Sequence, residues 1–190
     1  MKKVLIIVDP QNDFISGSLA IDGASEKMKS LSYYLKQKRQ KYDSILVTMD
    51  SHPANHCSFK ENGGIWVTHC IKNTDGWFIE PDLAKTLTEF KHVEIFNKGT
   101  NSDKEEYSII NNEDDGMKFL KILSDYNENG KLHIDICGIA GDYCVLETLK
   151  GLNLKFNNIT VLIDYVVSID GGKKLKEYVS TCENIKIESD

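Results

Sequence analysis

The chain has 190 residues, 41% hydrophobic and 27% charged, with a formal net charge of -6. That is enough for one domain, 1–190, with a substantial core, and the acidic balance argues against a general affinity for nucleic acid or anionic membrane. No run reaches the ~20 apolar residues that span a bilayer, and Met1-Lys-Lys leads into a strand with no signal-peptide core, so a cytoplasmic protein is expected.

Val4 to Val8 is a continuous apolar, β-rich run, and Met28, Leu31, Tyr34 and Leu35 recur at helical spacing within Ala24 to Lys41. Ser44 to Met49 reads as the second strand, followed by a loop-rich stretch from Asp50 to Asp82 and a short helix from Asp82 to Leu87. Loops of that length inside a domain usually carry function. Next come a strand at Val93 to Phe96, a helix at Gly116 to Tyr126, a strand at Leu132 to Gly138 and a helix at Asp142 to Gly151. A strand at Ile159 to Ile163, a helix at Gly171 to Ser180 and an edge strand at Asn184 to Ile187 complete the pattern. Such alternation predicts a three-layer α/β domain, a mainly parallel sheet flanked by helices with right-handed crossovers. The polar run Asn111 to Asp115 reads as a solvated loop without function.

Three charged or nucleophilic residues follow apolar strands. Asp9 comes after Val4 to Val8, Lys98 after the strand ending near Phe96, and Cys144 after the Gly138 strand end, where a helix begins. In an open parallel sheet the carboxyl ends of strands share one crevice, so these three can converge. First-turn amides carry partial positive charge, so Cys144 is expected to lose its proton readily. The other four cysteines, Cys57, Cys70, Cys137 and Cys182, form no compact framework and suit reduced thiols.

His52, His56 and His69 all fall in the segment 50–69, while His92 and His133 lie outside it. Imidazole with carboxylate suits zinc, iron or manganese, and Asp50, His52 and His69 would leave coordination positions open, as in a catalytic site. Residue types alone leave two lesser alternatives, histidines that cap a polar loop, or a closed zinc site using Cys57 or Cys70, although neither cysteine has CxxC spacing.

The combination of Asp9-Pro-Gln-Asn-Asp13, Asp50-Ser-His-Pro-Ala-Asn-His56, Trp66-Val-Thr-His69, Lys98-Gly-Thr100 and Gly138-Ile-Ala-Gly-Asp-Tyr-Cys144 resembles the nicotinamidase branch of the isochorismatase-like cysteine hydrolases, in order and over nearly the whole chain. The resemblance implies an isochorismatase-like fold, an Asp9, Lys98, Cys144 triad, and one divalent transition metal on Asp50, His52 and His69, zinc foremost with iron or manganese as alternatives. It implies deamidation of nicotinamide to nicotinate and ammonia through a thioester, with pyrazinamide as an analogue. Another isochorismatase-like amide hydrolase with a different small substrate is the alternative. Phe14 and Trp66 match positions that flank the pyridine ring, Ala140 supplies an oxyanion amide together with Cys144, and the Ile139–Ala140 peptide is expected to be cis. His56 is expected as a ligand or as a donor behind the ligands, and a homo-oligomer is compatible with the family. Val67, Thr68 and Asn73 depart from the family pattern and bear on loop shape.

Overall fold

The computed structural model describes residues 1–189. Six strands form one sheet: β1 (Lys2–Val8), β2 (Ser44–Asp50), β3 (Val93–Lys98), β4 (Leu132–Ile139), β5 (Ile159–Val167) and β6 (Ile185–Glu188). Their order is β3-β2-β1-β4-β5-β6 and every pairing is parallel. The predicted three-layer α/β architecture is therefore what the chain adopts, with a sheet that is parallel throughout. Val4 to Val8 are all fully buried, as expected of a central parallel strand covered on both faces.

The helices are α1 (Asn12–Ile15), α2 (Ala24–Gln37), α3 (Pro81–Leu87), α4 (Asp115–Tyr126), α5 (Cys144–Asn153) and α6 (Lys173–Ser180). Parallel register places Phe96, Thr48, Val8 and Gly138 in one row across the sheet. Phe119 of α4 meets Phe96 edge-on at 5.3 Å on that side. Leu5 and Asp135 are paired on the opposite side, where Tyr42, just after α2, donates to the buried Asp135 at 2.7 Å. The two faces thus carry different helices.

Strand order reverses between β1 and β4. The chain lays β2 and β3 outward on one side of β1 and returns to place β4, β5 and β6 on the other, so a crevice opens at the carboxyl ends of β1 and β4. Gly138 makes their close approach feasible: it has φ +120°, and a Cβ there would stand 2.1 Å from the Val8 carbonyl oxygen.

Several boundaries differ from the sequence reading for identifiable reasons. β3 runs on through Asn97 and Lys98, and β2 through Asp50, because strand pairing continues after the apolar run stops. β5 continues past Asp164, which interrupts the hydrophobic pattern. Cys144 is the first residue of α5, which starts two residues later than its helical pattern suggested.

The reading of Asn111 to Asp115 as a solvated loop holds for the exposed Asn111, Glu113 and Asp114 and is corrected at Asn112 and Asp115. Asn112 is buried and its Oδ1 accepts the amides of Asp114 and Asp115, while the Asp115 carboxylate accepts the Asn97 amide at 2.9 Å. Burial opposes ionisation of Asp115, but the Asn97 amide and Lys118 outweigh it and hold the carboxyl below its usual range. A depressed folded-state pKa means stability present above the ordinary carboxylate pKa of ~4 and lost as pH falls through the lower folded value. Asp115→Ala is therefore expected to cost ~1 kcal/mol at pH 7 in urea denaturation, with the gap from wild type closing towards pH 3. A gap that stays constant across that range would contradict the assignment.

Candidate active site

Asp9 follows β1 with φ 47°, a left-handed conformation uncommon outside glycine. Its Oδ1 accepts the Thr48 hydroxyl at 2.6 Å, and its Oδ2 lies 2.8 Å from Lys98 Nζ. From the end of β3, Lys98 also reaches Asp50 Oδ1 at 2.5 Å and donates to Cys144 Sγ at 3.4 Å. Asp9 and Lys98 are 0% exposed and Cys144 is 6% exposed, so water screens none of these charges well. The structure brings the three residues together as predicted.

Burial alone would discharge Lys98, but the Asp50 and Asp9 carboxylates outweigh it and keep the ammonium charged, its pKa well above the ordinary lysine value. Burial likewise opposes ionisation of Asp50, and Lys98 with His52 overcomes it and holds the carboxyl far below its usual range. Asp9 is raised, since burial exceeds the pull of Lys98. Cys144 departs from the expectation of a readily ionised thiol. Burial pushes it well above the ordinary thiol range despite Lys98, and Asp9 and Asp50 add to the rise. First-turn amides do not overcome burial and two nearby carboxylates, so the thiol form is favoured over the thiolate.

Asp50, His52 and His69 place one ligand atom each within 4.8 Å of one another. Both imidazoles are oriented by main chain: His52 Nδ1 donates to Gly99 O at 2.9 Å and His69 Nδ1 donates to Val67 O at 2.7 Å. In the neutral form each ring therefore presents its Nε2 lone pair, the tautomer a metal requires. Lys98 occupies Asp50 Oδ1, while Oδ2 lies 3.7 Å from His52 Nε2. This donor set fits a divalent transition metal. Gly99, with φ +62°, is required for it, because a Cβ there would come within 2.4 Å of the His52 ring.

His56 stands apart from the ligands. Its Nε2 donates to Lys104 O at 3.1 Å and its Nδ1 accepts the Ser58 amide at 3.3 Å, so both ring nitrogens are engaged. Its ring stacks 4.1 Å from that of His52. Burial lowers it to about 4.

The loop departures are accommodated. Asn73 has φ 69°, a conformation in which asparagine is among the tolerated replacements for glycine. Thr68 donates to Glu61 at 3.0 Å, and Asp13 accepts the Cys70 amide at 2.7 Å, fixing the chain on either side of His69.

A cleft of about 400 Å³, its solvent-filled mouth included, opens over Cys144 and is lined by Phe14, Trp66 and Ala140 as predicted. The Ile139–Ala140 peptide is cis. Gly141 N–H is taken by Val167 O, and the amides of Tyr143 and Val145 by Ala140 O. Those of Ala140 and Cys144 have no backbone acceptor among the described residues.

Sequence reasoning missed Thr48, Gln11, Glu105, Tyr107 and Tyr143. Gln11, inside the Asp9-Pro-Gln motif, brackets Asp50 by accepting its amide and donating to its carbonyl, each at 2.7 Å. Tyr143 stood next to the nucleophile candidate, whereas nothing in the local pattern marks Glu105 or Tyr107. Glu105 lines the cleft, its carboxyl raised by desolvation and then by Asp50.

No family model matches the chain. It is 33% identical to a nicotinamidase of Saccharomyces cerevisiae over 86% of this chain and 87% of that protein. Identity to a nicotinamidase/pyrazinamidase of Mycobacterium tuberculosis is 31%, covering 88% of this chain and 87% of the relative. Among solved structures, the yeast nicotinamidase bound to the inhibitor nicotinaldehyde superposes with a TM-score of 0.84 at 30% identity, over 99% of this chain and 100% of that one. The pyrazinamidase of Pyrococcus horikoshii in complex with zinc gives 0.80 at 31% identity over the whole of both chains. On this identity and coverage, over a shared fold, the chain belongs to the nicotinamidase family.

Proposed function

We propose that this chain is a metal-dependent nicotinamidase, converting nicotinamide and water to nicotinate and ammonia by covalent catalysis at Cys144. The observation that carries this reading is Lys98 Nζ, buried 2.8 Å from Asp9 and 3.4 Å from the Cys144 sulfur, beneath a cleft walled by aromatic rings.

The chemistry follows from the protonation states. The Cys144 thiol gives its proton to Asp9 as the sulfur attacks the carboxamide carbon, and Lys98 stabilises the developing thiolate. Charge builds on the carbonyl oxygen, where the uncommitted amides of Ala140 and Cys144 serve as donors. When the C–N bond breaks, Asp9 returns the proton to nitrogen and ammonia leaves. Water then attacks the thioester as Asp9 takes its proton, the C–S bond breaks as Asp9 returns that proton to sulfur, and the released acid loses its proton to solvent as nicotinate. Asp50, His52 and His69 would hold a divalent metal, which would supply Lewis acidity towards the nitrogen lone pair of the pyridine ring. The two imidazoles and one carboxylate favour zinc, with iron or manganese also accommodated by such donors.

The test is ammonia release from nicotinamide, with metal content measured on the same preparation. Steady release with about one metal per chain supports the reading. A fully metallated preparation that leaves nicotinamide intact would overturn it.

A further inference from the structure

Between Lys98 and α4 the chain is held around a single buried carboxylate. Glu106, 2% exposed, accepts the Gly99 amide and the Asn112 side-chain amide at 2.9 Å each on Oε2, and its Oε1 lies 3.0 Å from Lys104 Nζ. This anchor fixes where the next residue, Tyr107, enters the cleft wall. There the Tyr107 hydroxyl accepts the Trp66 indole N–H at 3.1 Å.

An indole has one N–H donor, so this bond uses all of Trp66's side-chain polar capacity. The ring is also braced edge-on by Tyr143, with centroids 4.9 Å apart, and Tyr107 itself packs 5.5 Å from Tyr143. Lys174 Nζ lies 4.9 Å over the Tyr143 ring from the outer side. Rotation of Trp66 would break the hydrogen bond and the edge-to-face contact together. Trp66 is the largest ring in a lining that also holds Phe14, Tyr107 and Tyr143, so its plane bears directly on how well a flat ring lies in the cleft.

We propose that Tyr107 is a positioning residue: it locks the plane of Trp66 and thereby sets the affinity of the cleft for flat aromatic carboxamides over aliphatic ones. The substrate class rests on the proposed function, whereas the lock itself does not.

Tyr107→Phe keeps the ring against Tyr143 and deletes one oxygen. Loss of one neutral hydrogen bond is expected to raise the KM for nicotinamide ~5-fold while kcat stays within ~2-fold. Because Tyr107 acts through Trp66, adding the change to Trp66→Phe should move KM by less than ~1.5-fold. Equal rises in both backgrounds, or a fall in kcat at unchanged KM, would overturn the proposal. The lock is read independently of substrate by hydrogen exchange at the two indole N–H groups. In Tyr107→Phe, exchange at Trp66 should quicken, while Trp77, bonded to Ser51 Oγ at 3.1 Å, should not change. Unchanged exchange at Trp66 also overturns the proposal. Faster exchange at Trp66 in a protein whose wild type leaves nicotinamide untouched would support the lock and count against the substrate reading alone.

Discussion

Cys144→Ala is expected to abolish ammonia release from nicotinamide, a fall of at least ~10⁴-fold in kcat, since loss of a nucleophile leaves only binding and oxyanion stabilisation. The fold should survive. Cys144 lies at the start of α5, and alanine fills most of its space while leaving the Asp9–Lys98–Asp50 ion pairs in place. Stability should change by no more than ~1–2 kcal/mol, and metal content should match wild type because the sulfur is not among the proposed metal ligands. Circular dichroism, metal analysis and a steady-state assay on one preparation check all three. Turnover within ~100-fold of wild type would exclude attack by this sulfur.

The second large effect is expected at the candidate ligands. His52→Ala and His69→Ala should each weaken metal binding by more than ~100-fold, beyond the 10–100-fold typical of residues that only orient a ligand. The KM for nicotinamide should rise alongside if the ring nitrogen is anchored there. His56→Ala supplies the contrast: both of its ring nitrogens are bonded within the protein, so its replacement should loosen the 56–62 turn and leave most metal affinity in place. Competition with a chelator of known affinity ranks the three variants. Equal metal loss in all three would mean that His56 is a ligand, and full retention in His52→Ala would remove the assigned site.

Much of this was legible because the informative residues sit where strand patterns end. Asp9, Lys98 and Cys144 each follow an apolar run, and a parallel sheet gathers such ends into one crevice whatever the details between. The histidine cluster was legible from composition alone, but the exclusion of His56 was not, since it depends on the Lys104 carbonyl and the Ser58 amide reaching both of its nitrogens. The thiol's protonation state was misread for a similar reason. Helix position is a local property, whereas Asp9 and Asp50 arrive beside Cys144 from two other strands. Thr48 looked like an ordinary β-branched strand residue, and only the register of β2 against β1 brings its hydroxyl to Asp9.

The Glu106 carboxylate has a consequence for how such a scaffold diversifies. By gripping Gly99 and Asn112 with one oxygen, it works as a clasp closing the segment 99–112 into one loop. Lys98 lies outside the clasp, in the sheet, and Tyr107 lies within it. Side-chain changes inside that loop can therefore retailor the cleft wall without disturbing the Lys98 ammonium beside the Cys144 sulfur. Recognition and chemistry can vary on separate schedules in this chain, and a library confined to residues 100–107, with Glu106 held fixed and the buried Ser108 and Ile109 left untouched, is where altered carboxamide preference should surface at low cost to stability.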